Sequence, residues 1–516
     1  MSTNKNYDLL VIGAGVNGLV AATIAAKKGK KVLIVEKRPE AGGLAASYEF
    51  VSGFKSPGIL HDTTALRPWV VEQLDLKKHG LKIRAEEAPI YAPEKNGKGL
   101  LLWRDPQRAA EEISPRSAKD AAKYKEYRAF LSTITPFLGR VFDEFPPEIA
   151  TMSFPGMWEL MKKAVSLRLL GKDDMMEILR IAPMCVADWL NEWFENDLLK
   201  ACLAGPSIYN SYTGPWSPGT NANLLLAEAF CYKPVVGGPQ ALVTALLSAA
   251  KAAGVELRLN TEVESLALAK VDEVDGVTLK GGETIKATAV AAAIDPKQLF
   301  LKLMPPANLT HNFEHNIVNI RARGTTAKVT LALNGLPQWN QRPSLKAEYI
   351  RTGEYFDQME RAFDAVKYRK MSDEPLLDIY IPTLEAPEMA PNGKHVMSVL
   401  VHFAPHQLDA GWSAEMNAEL LKRTLKALDQ YAPGASALVA GSEVLSPVDL
   451  EKRFNLSGGH LFHGEHAADQ LLVRPTPECS RYSTPFKSLF LIGGGAHPGG
   501  GITGAPGALA AKMVLG

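Results

Sequence analysis

Cysteine is scarce in this chain. Cys185, Cys202, Cys231 and Cys479 are spread through 516 residues, with no C-x-x-C pair among them. Their spacings fit neither a zinc site nor a disulfide framework. Inert thiols in a reducing compartment are the expectation, and a redox-active disulfide is not. An excess of either charge is also missing. Lys and Arg number 57 and Asp and Glu 56, a formal net charge of +1. That balance signals no basic face and no nucleic-acid partner. No apolar run reaches eighteen residues, so nothing is expected to span a bilayer. MSTNKNYDLLVIGAG has no apolar signal core before its first strand, and a cytoplasmic location is the default expectation. There is no internal repeat, nucleophile elbow, metal cluster or catalytic triad. The rest is an ordinary globular composition, 46% hydrophobic and 22% charged, at a length that suits two or three domains.

What the chain does have is glycine in particular places. In YDLLVIGAGVNGLVAATIAAKKGKKVLIVEK, Leu9 to Ile12 is a short apolar run suited to a buried parallel strand. Gly13 makes a tight turn, Gly15 lets backbone approach a pyrophosphate, and Gly18 lets the following helix pack closely. Val16 and Asn17 sit where that helix opens, and its first amides face the phosphates. Gly29 ends the helix, and Val32 to Val35 form the next strand. Glu36 follows Gly13 by 23 residues, the place where a carboxylate takes both hydroxyls of an adenosine ribose. Strand, helix, strand and acid in this order specify a dinucleotide site far better than the glycines alone.

Glu36 is followed by KRPEAGGLAAS, with Lys37, Arg38, Gly42, Gly43 and Leu44. This stretch resembles the second glycine motif of the FAD-dependent amine oxidase and phytoene desaturase superfamily. The resemblance implies FAD, with these residues near its phosphate and ribityl chain. It also places Val263, in GVELRLNTEVESLAL, against the adenine through its backbone. A strand at 287–293 followed by Asp295-Pro296 is likewise usual in that superfamily.

A second G-x-G-x-x-G match, Gly499, Gly501 and Gly504, lies near the end of the sequence. It follows its strand, Leu489 to Ile492, by seven residues rather than one, and twelve residues after Gly504 leave no space for a second strand and acid. A second dinucleotide site is therefore not expected. A helix over 503–515, with Pro506 in its first turn, would instead aim its positive end at the isoalloxazine ring. IGGGAHPGGGITGAPG resembles the C-terminal signature of carotenoid-desaturase-type flavoproteins, which gives Gly494, Gly495, His497, Gly501, Ile502 and Thr503 a flavin-lining role. Gly494 stands where relatives often have alanine.

These patches lie far apart, so the expected fold is α/β: a discontinuous Rossmann-type FAD-binding domain with an inserted α+β substrate domain of mixed sheet and helices. The expected segments are 1–75, 230–296 and 451–516 for the cofactor and 76–229 (largely helical) and 297–450 for the substrate. Val329 to Leu333 and Val396 to Phe403 read as strands of the mixed sheet. SYTGPWSPGTNANLLL and LEKRFNLSGGHLFHGEHAADQLLVRP resemble the branch of the superfamily that takes its name from a pyridine nucleotide-disulfide oxidoreductase domain. Two departures weigh against phytoene itself as substrate. LLLAEAF replaces a histidine-containing stretch, and the GP-x pattern after Gly53 is not matched.

One complete FAD site and no NAD site suggest an oxidoreductase that desaturates or oxidises a largely apolar, isoprenoid- or lipid-like substrate. Hydride would go to the flavin and electrons on to oxygen or a quinone. A reduced-flavin isomerase of a polyene, or a flavin-binding scaffold without turnover, would carry the same motifs. His460 and His463 are the clustered groups that could carry a proton, though a structural role is the simpler expectation for both. Helix-period residues from Pro155 to Lys172 mix Met, Trp and Leu with Lys162, Lys163 and Arg168. Packing on the substrate domain is the expectation for this helix, with peripheral membrane contact as the alternative.

Overall fold

A computed structural model describes residues 7–148 and 154–515. Its first sheet is assembled from distant stretches of chain. Glu256–Arg258, Val32–Val35, Tyr7–Ile12, Thr284–Ala292 and Leu489–Leu491 lie side by side in that order, all parallel. The first residues of Thr284–Ala292 also pair antiparallel with Glu273–Leu279, which returns along Val263–Lys270. Val32–Val35 is buried at every position, as expected of a parallel strand covered on both faces. The helix Val16–Lys27 packs between this sheet and the terminal helix Ala505–Leu515. That is why it is apolar nearly all round rather than along one stripe. The terminal helix starts two residues later than expected, at Ala505, and Pro506 stands in its first turn.

The second sheet runs in the order Val439–Leu445, Thr326–Leu333, His395–His402, Leu376–Tyr380, Tyr349–Arg351, Ile90–Ala92 and Leu100–Leu102. Its pairings are antiparallel except between Tyr349–Arg351 and Ile90–Ala92, so the sheet is mixed. The last two strands of that order come from the stretch expected to be largely helical. They are three residues each, too short for a period-2 pattern to reveal.

Alternation along these strands sorts the side chains. On one face Val329, Leu331, Met397, Val399, Leu377 and Ile379 form an apolar core with the helix Ala414–Tyr431. On the other face lie Lys328, Ser398, His402, Asp378, Tyr380 and Arg351. Helices Ala118–Asp143, Val186–Trp193, Asp197–Ile208 and Thr220–Phe230 make the remaining large core. Tyr127 stands at its centre, 5.5, 5.6 and 5.3 Å from the rings of Trp189, Trp193 and Phe194.

The helix expected to pack at 155–172 does not follow that expectation. It spans Phe154–Arg168 and presents Met157, Trp158, Leu160, Met161 and Val165 to the outside, each about half exposed. Leu169, just beyond it, is 81% exposed. It is tied down at its polar positions, by Lys163 to Glu144 and Glu159 to Arg481. Among the described residues no helix is long and apolar enough to cross a membrane.

Candidate active site

The carboxyl ends of the five parallel strands define a line. Neighbouring strands are roughly 4.8 Å apart, so the line is roughly 19 Å long. Glu36, Gly13, Ala293 and Gly494 follow successive strands along it, and a cavity of about 560 Å³ opens there. Such crevices outside the carboxyl ends are where α/β sheets bind ligands.

The glycines of the first turn do different jobs. Gly13 adopts φ +98° as the strand ends. A Cβ on Gly18 would lie 2.1 Å from the Gly13 carbonyl oxygen, so Gly18 holds the helix against the turn. A Cβ on Gly15 would meet nothing nearer than the Gly43 Cα at 3.9 Å and would project into the cavity. Gly15 also caps the helix Val16–Lys27 without a side-chain acceptor, which leaves first-turn amides and the positive helix end facing the cavity.

Glu36 is 8% exposed. Its Oε2 accepts from the Ala14 amide at 2.8 Å and its Oε1 from the Arg38 amide at 2.9 Å. The second glycine loop is fixed from both sides. The Gly42 amide donates to the Ala14 carbonyl, and Arg38 Nη1 donates to the Gly43 carbonyl at 3.1 Å. The Arg38 guanidinium rests 4.5 Å above the Phe454 ring, which joins this loop to the C-terminal part of the chain.

Of the residues singled out from sequence, Gly13, Gly15, Val16, Asn17, Glu36, Lys37, Arg38, Gly42, Gly43, Leu44 and Val263 line this cavity, as do Gly494, Gly501 and Ile502. Gly18, Gly495, His497 and Thr503 do not. Gly495 packs on Pro296, where a Cβ would come within 2.5 Å of its ring. His497 is fully buried and stacks on Phe142, with ring centroids 5.8 Å apart. Thr503 Oγ1 accepts from the Ala505 amide. Thr261, Glu262, Asp295, Lys302, Phe454 and Leu461 line the cavity as well, beyond those expected. Thr261 and Glu262 adjoin Val263 and are within reach of the same motif. Phe454 and Leu461 carry no sequence signal.

Asp295 explains the DP pair. Its Oδ1 caps the short helix at Pro296–Gln298 and accepts from Ser457 Oγ at 2.7 Å, which ties the 457–463 loop to the sheet. Arg474 closes that loop over Gly494. It is 2% exposed and makes no ion pair with a carboxylate among the described residues, and it donates to the carbonyls of Phe462, Gly464, Gln470, Gly494 and Gly495. Burial lowers its pKa to about 10, so it stays charged at neutral pH. Burial pushes the neighbouring histidines the same way, His460 to about 4 and His466 well below its usual value. His463 is lowered too, although Asp295 at 3.9 Å opposes the shift. His463 lines the cavity. His460 does not, and its Nδ1 accepts from the Phe462 amide.

A second cavity of about 310 Å³ shares Leu60, Gly500, Gly501 and Ile502 with the first. Leu102, Leu203, Leu226, Phe230, Leu400 and Phe462 give it apolar walls. Polar groups enter at His61, Arg104, Glu228, Arg351, Asp378 and His466. Glu228 is shared by Arg104 and Arg128 at 2.9 and 2.8 Å. Behind the wall, Lys328 donates to the Ile59 carbonyl and to Ser398 Oγ, and burial lowers it to about 7. Cys202 and Cys231 also border this cavity, and burial raises each to about 11, which leaves both thiols protonated and unreactive.

Comparison with known proteins agrees with this geometry. Residues 11–68 match the NAD(P)-binding Rossmann-like domain, and residues 83–509 match the flavin containing amine oxidoreductase family. The pyridine nucleotide-disulfide oxidoreductase domain-containing protein 2 of Rattus norvegicus is 31% identical over 99% of this chain and 93% of its own. One of the chains of limonene dehydrogenase from Castellaniella defragrans is 26% identical over 100% of this chain and 95% of its own. Among solved structures, an oxidoreductase from Methanosarcina mazei superposes with a TM-score of 0.60 over 98% of this chain and 99% of its own, at 16% identity.

Proposed function

The chain belongs to the flavin containing amine oxidoreductase family and is an FAD-dependent oxidoreductase, and from that premise we propose that it desaturates or oxidises a largely apolar substrate, with oxygen or a quinone taking the electrons. The observation that carries the proposal is the junction of the two cavities at Gly500–Ile502. The carotenoid-desaturase character of the tail and the likeness to a limonene dehydrogenase support an apolar substrate.

The residues present fit FAD. Gly15 leaves open space where Gly18 leaves none, Asn17 Oδ1 is buried without a hydrogen-bond partner among the described residues, and Glu36 stands at the end of the strand beside that of Gly13, on the side away from Gly494. In this reading Glu36 holds the adenosine ribose, and Val263 with Lys37 borders the adenine. Gly13, Gly15, Val16 and Asn17 hold the pyrophosphate, with Gly18 setting the helix behind it. Arg38, Gly42, Gly43 and Leu44 follow the ribityl chain. Gly494, Gly501 and Ile502 lie at the ring, backed by Gly495, His497 and Thr503. Bound FAD supplies a two-electron acceptor for a hydride taken from a C–H or C–N bond.

The chain's own part is placement. The apolar walls hold the substrate against Gly501 and exclude water. Neutral His463, with Asp295 3.9 Å from its Nδ1, and neutral His466, whose buried Nε2 has no hydrogen-bond partner among the described residues, can receive the accompanying proton. The exposed apolar face of Phe154–Arg168, with Lys162 and Arg168 alongside, supports contact with a lipid surface from which such a substrate would come.

The test is an anaerobic spectrum of the FAD-loaded protein with apolar alkenes, polyenes and amines. Bleaching, with a product two hydrogens lighter, is expected. A flavin that none of these reduces would overturn the redox reading, and a product of unchanged mass would make the protein an isomerase.

A further inference from the structure

The charges of the second cavity are not alike. Arg104 and Arg128 are both satisfied by Glu228. Arg351 and Asp378 face each other across neighbouring strands and both border the cavity, yet they make no direct ion-pair contact and act on each other only through space. The Arg351 guanidinium donates to the Cys202 carbonyl through Nη1 at 2.9 Å and lies within hydrogen-bond reach of the Cys202 thiol. Its Nε is buried without a partner, and the Tyr209 ring beneath the guanidinium carries a buried hydroxyl that is also unpartnered. No hydrogen bond reaches the Asp378 carboxylate from the described residues.

Taking charges out of water is costly unless they are paired. Here the partner stands on the adjacent strand and the pair is not made, so both groups are left facing the gap. We propose that this gap is an anchor for a carboxylate, and that the substrate is an aliphatic or isoprenoid carboxylic acid, held at its acid end by Arg351 with its chain along Leu203, Leu226, Phe230 and Leu400 toward Gly501.

The sign follows from which charge is permanent. A guanidinium keeps its proton in any protein environment and offers a fork that fits a carboxylate. Asp378 can be silenced by a proton: burial raises it to about 6, with the Asp62 carboxylate, which also borders the cavity, adding to the rise and Arg351 and Lys328 opposing it. Protonated, it donates to the incoming anion instead of repelling it. An ammonium group would meet a positive charge that cannot be removed. The inference rests on the substrate cavity proposed above and names the class of molecule that enters it.

The test is calorimetric titration of the FAD-loaded protein with decanoic acid, methyl decanoate and decylamine at about pH 5.5, where Asp378 is mostly protonated and the acid mostly ionised. Hydrogen bonds to charged groups predict that the acid binds about tenfold or more tightly than its ester, with the amine weakest. Arg351→Gln is expected to bring the acid down to the level of the ester and leave the ester unchanged, and Arg351→Lys to keep part of the preference. Equal binding of acid and ester, tighter binding of the amine, no binding of the acid, or a preference that survives Arg351→Gln would each overturn the proposal. If Arg351→Gln fails to fold, the acid and ester on the wild-type protein decide. Heat of binding does not depend on turnover, so a protein with no redox activity that still prefers the acid would refute the reaction and keep the anchor.

Discussion

Gly15 and Gly18 should fail for opposite reasons when each gains a methyl group. In Gly18→Ala the new methyl would sit 2.1 Å from the Gly13 carbonyl oxygen, with the Ala293 methyl at 3.1 Å. Backbone cannot yield as a side-chain tip does, so the helix Val16–Lys27 must lift from the sheet. Overpacking of this kind costs about 1–3 kcal/mol, which lowers Tm by roughly 2–12 °C in a domain of this size. In Gly15→Ala the methyl has ordinary space, and φ −69° suits alanine. The folded apoprotein should lose at most about 1 kcal/mol, the difference between glycine and alanine as an N-cap. The methyl instead occupies the approach to the pyrophosphate. Ligand binding at about a hundred times Kd adds about 2.7 kcal/mol to stability, and Gly15→Ala should forfeit that gain while Gly18→Ala loses stability even without cofactor. The assay is thermal unfolding of reconstituted apoproteins with and without FAD, beside the FAD Kd from fluorescence. A Gly15→Ala protein with wild-type Kd and a full FAD-induced rise in Tm would refute the reasoning.

Glu36→Gln replaces a double acceptor by a group with one acceptor and one donor, so the amide of Ala14 or Arg38 meets an NH₂ group. The FAD Kd should rise about 10- to 100-fold, and an unchanged Kd in equilibrium dialysis would remove Glu36 from the site. Arg474→Met strips the donor from five carbonyls of the closing loop, each orphaned at a cost of about 1 kcal/mol or more. Lower Tm and faster FAD release are expected, and stopped-flow release at the wild-type rate would count against the clamp. Burial lowers His460 to about 4, and His402 and His497 to about 3. An unfolded histidine protonates near about 6.5. Between those values the unfolded chain binds more protons, so stability must rise with pH. Tm should fall as the pH drops from about 6.5 toward about 4, and a profile flat down to about pH 4.5 would contradict it. Trp158→Asp should reduce co-sedimentation with liposomes, whereas equal pelleting of variant and wild type would clear this helix of a membrane role.

The first dinucleotide motif is legible in the sequence because all its parts fall within one local stretch. Turn glycines, helix opening and terminal acid are separated by fixed chain lengths, and covalent geometry makes such spacing informative. The tail is legible as far as its glycines. Its histidines are harder to place. His497 lies in the most recognisable stretch and ends behind the wall against Phe142, whereas His466, not singled out within its stretch, borders the second cavity. Residue type and neighbourhood are visible along the chain, but direction is not. The helix at Phe154–Arg168 shows the same limit. Its mixed pattern suits packing, yet only its inner side, at Leu167, reaches the helical core, and Met157, Trp158, Leu160, Met161 and Val165 stay about half exposed.

Local spacing and composition are enough to specify the parallel βαβ core, the class of ligand and the lack of a working disulfide. Each rests on a few dozen residues or on a count. Which distant residues share a wall is settled by strand pairing instead. Lys328, Leu400, Asp378 and Arg351 come from four separate strands and form one row only because the sheet registers pair Lys328 with Leu400, Leu400 with Asp378, and Asp378 with Arg351. Register is set by strand pairing across long loops, and no local pattern encodes it. Whether a charged pair on adjacent strands closes on itself or stays open to a ligand is decided at that level.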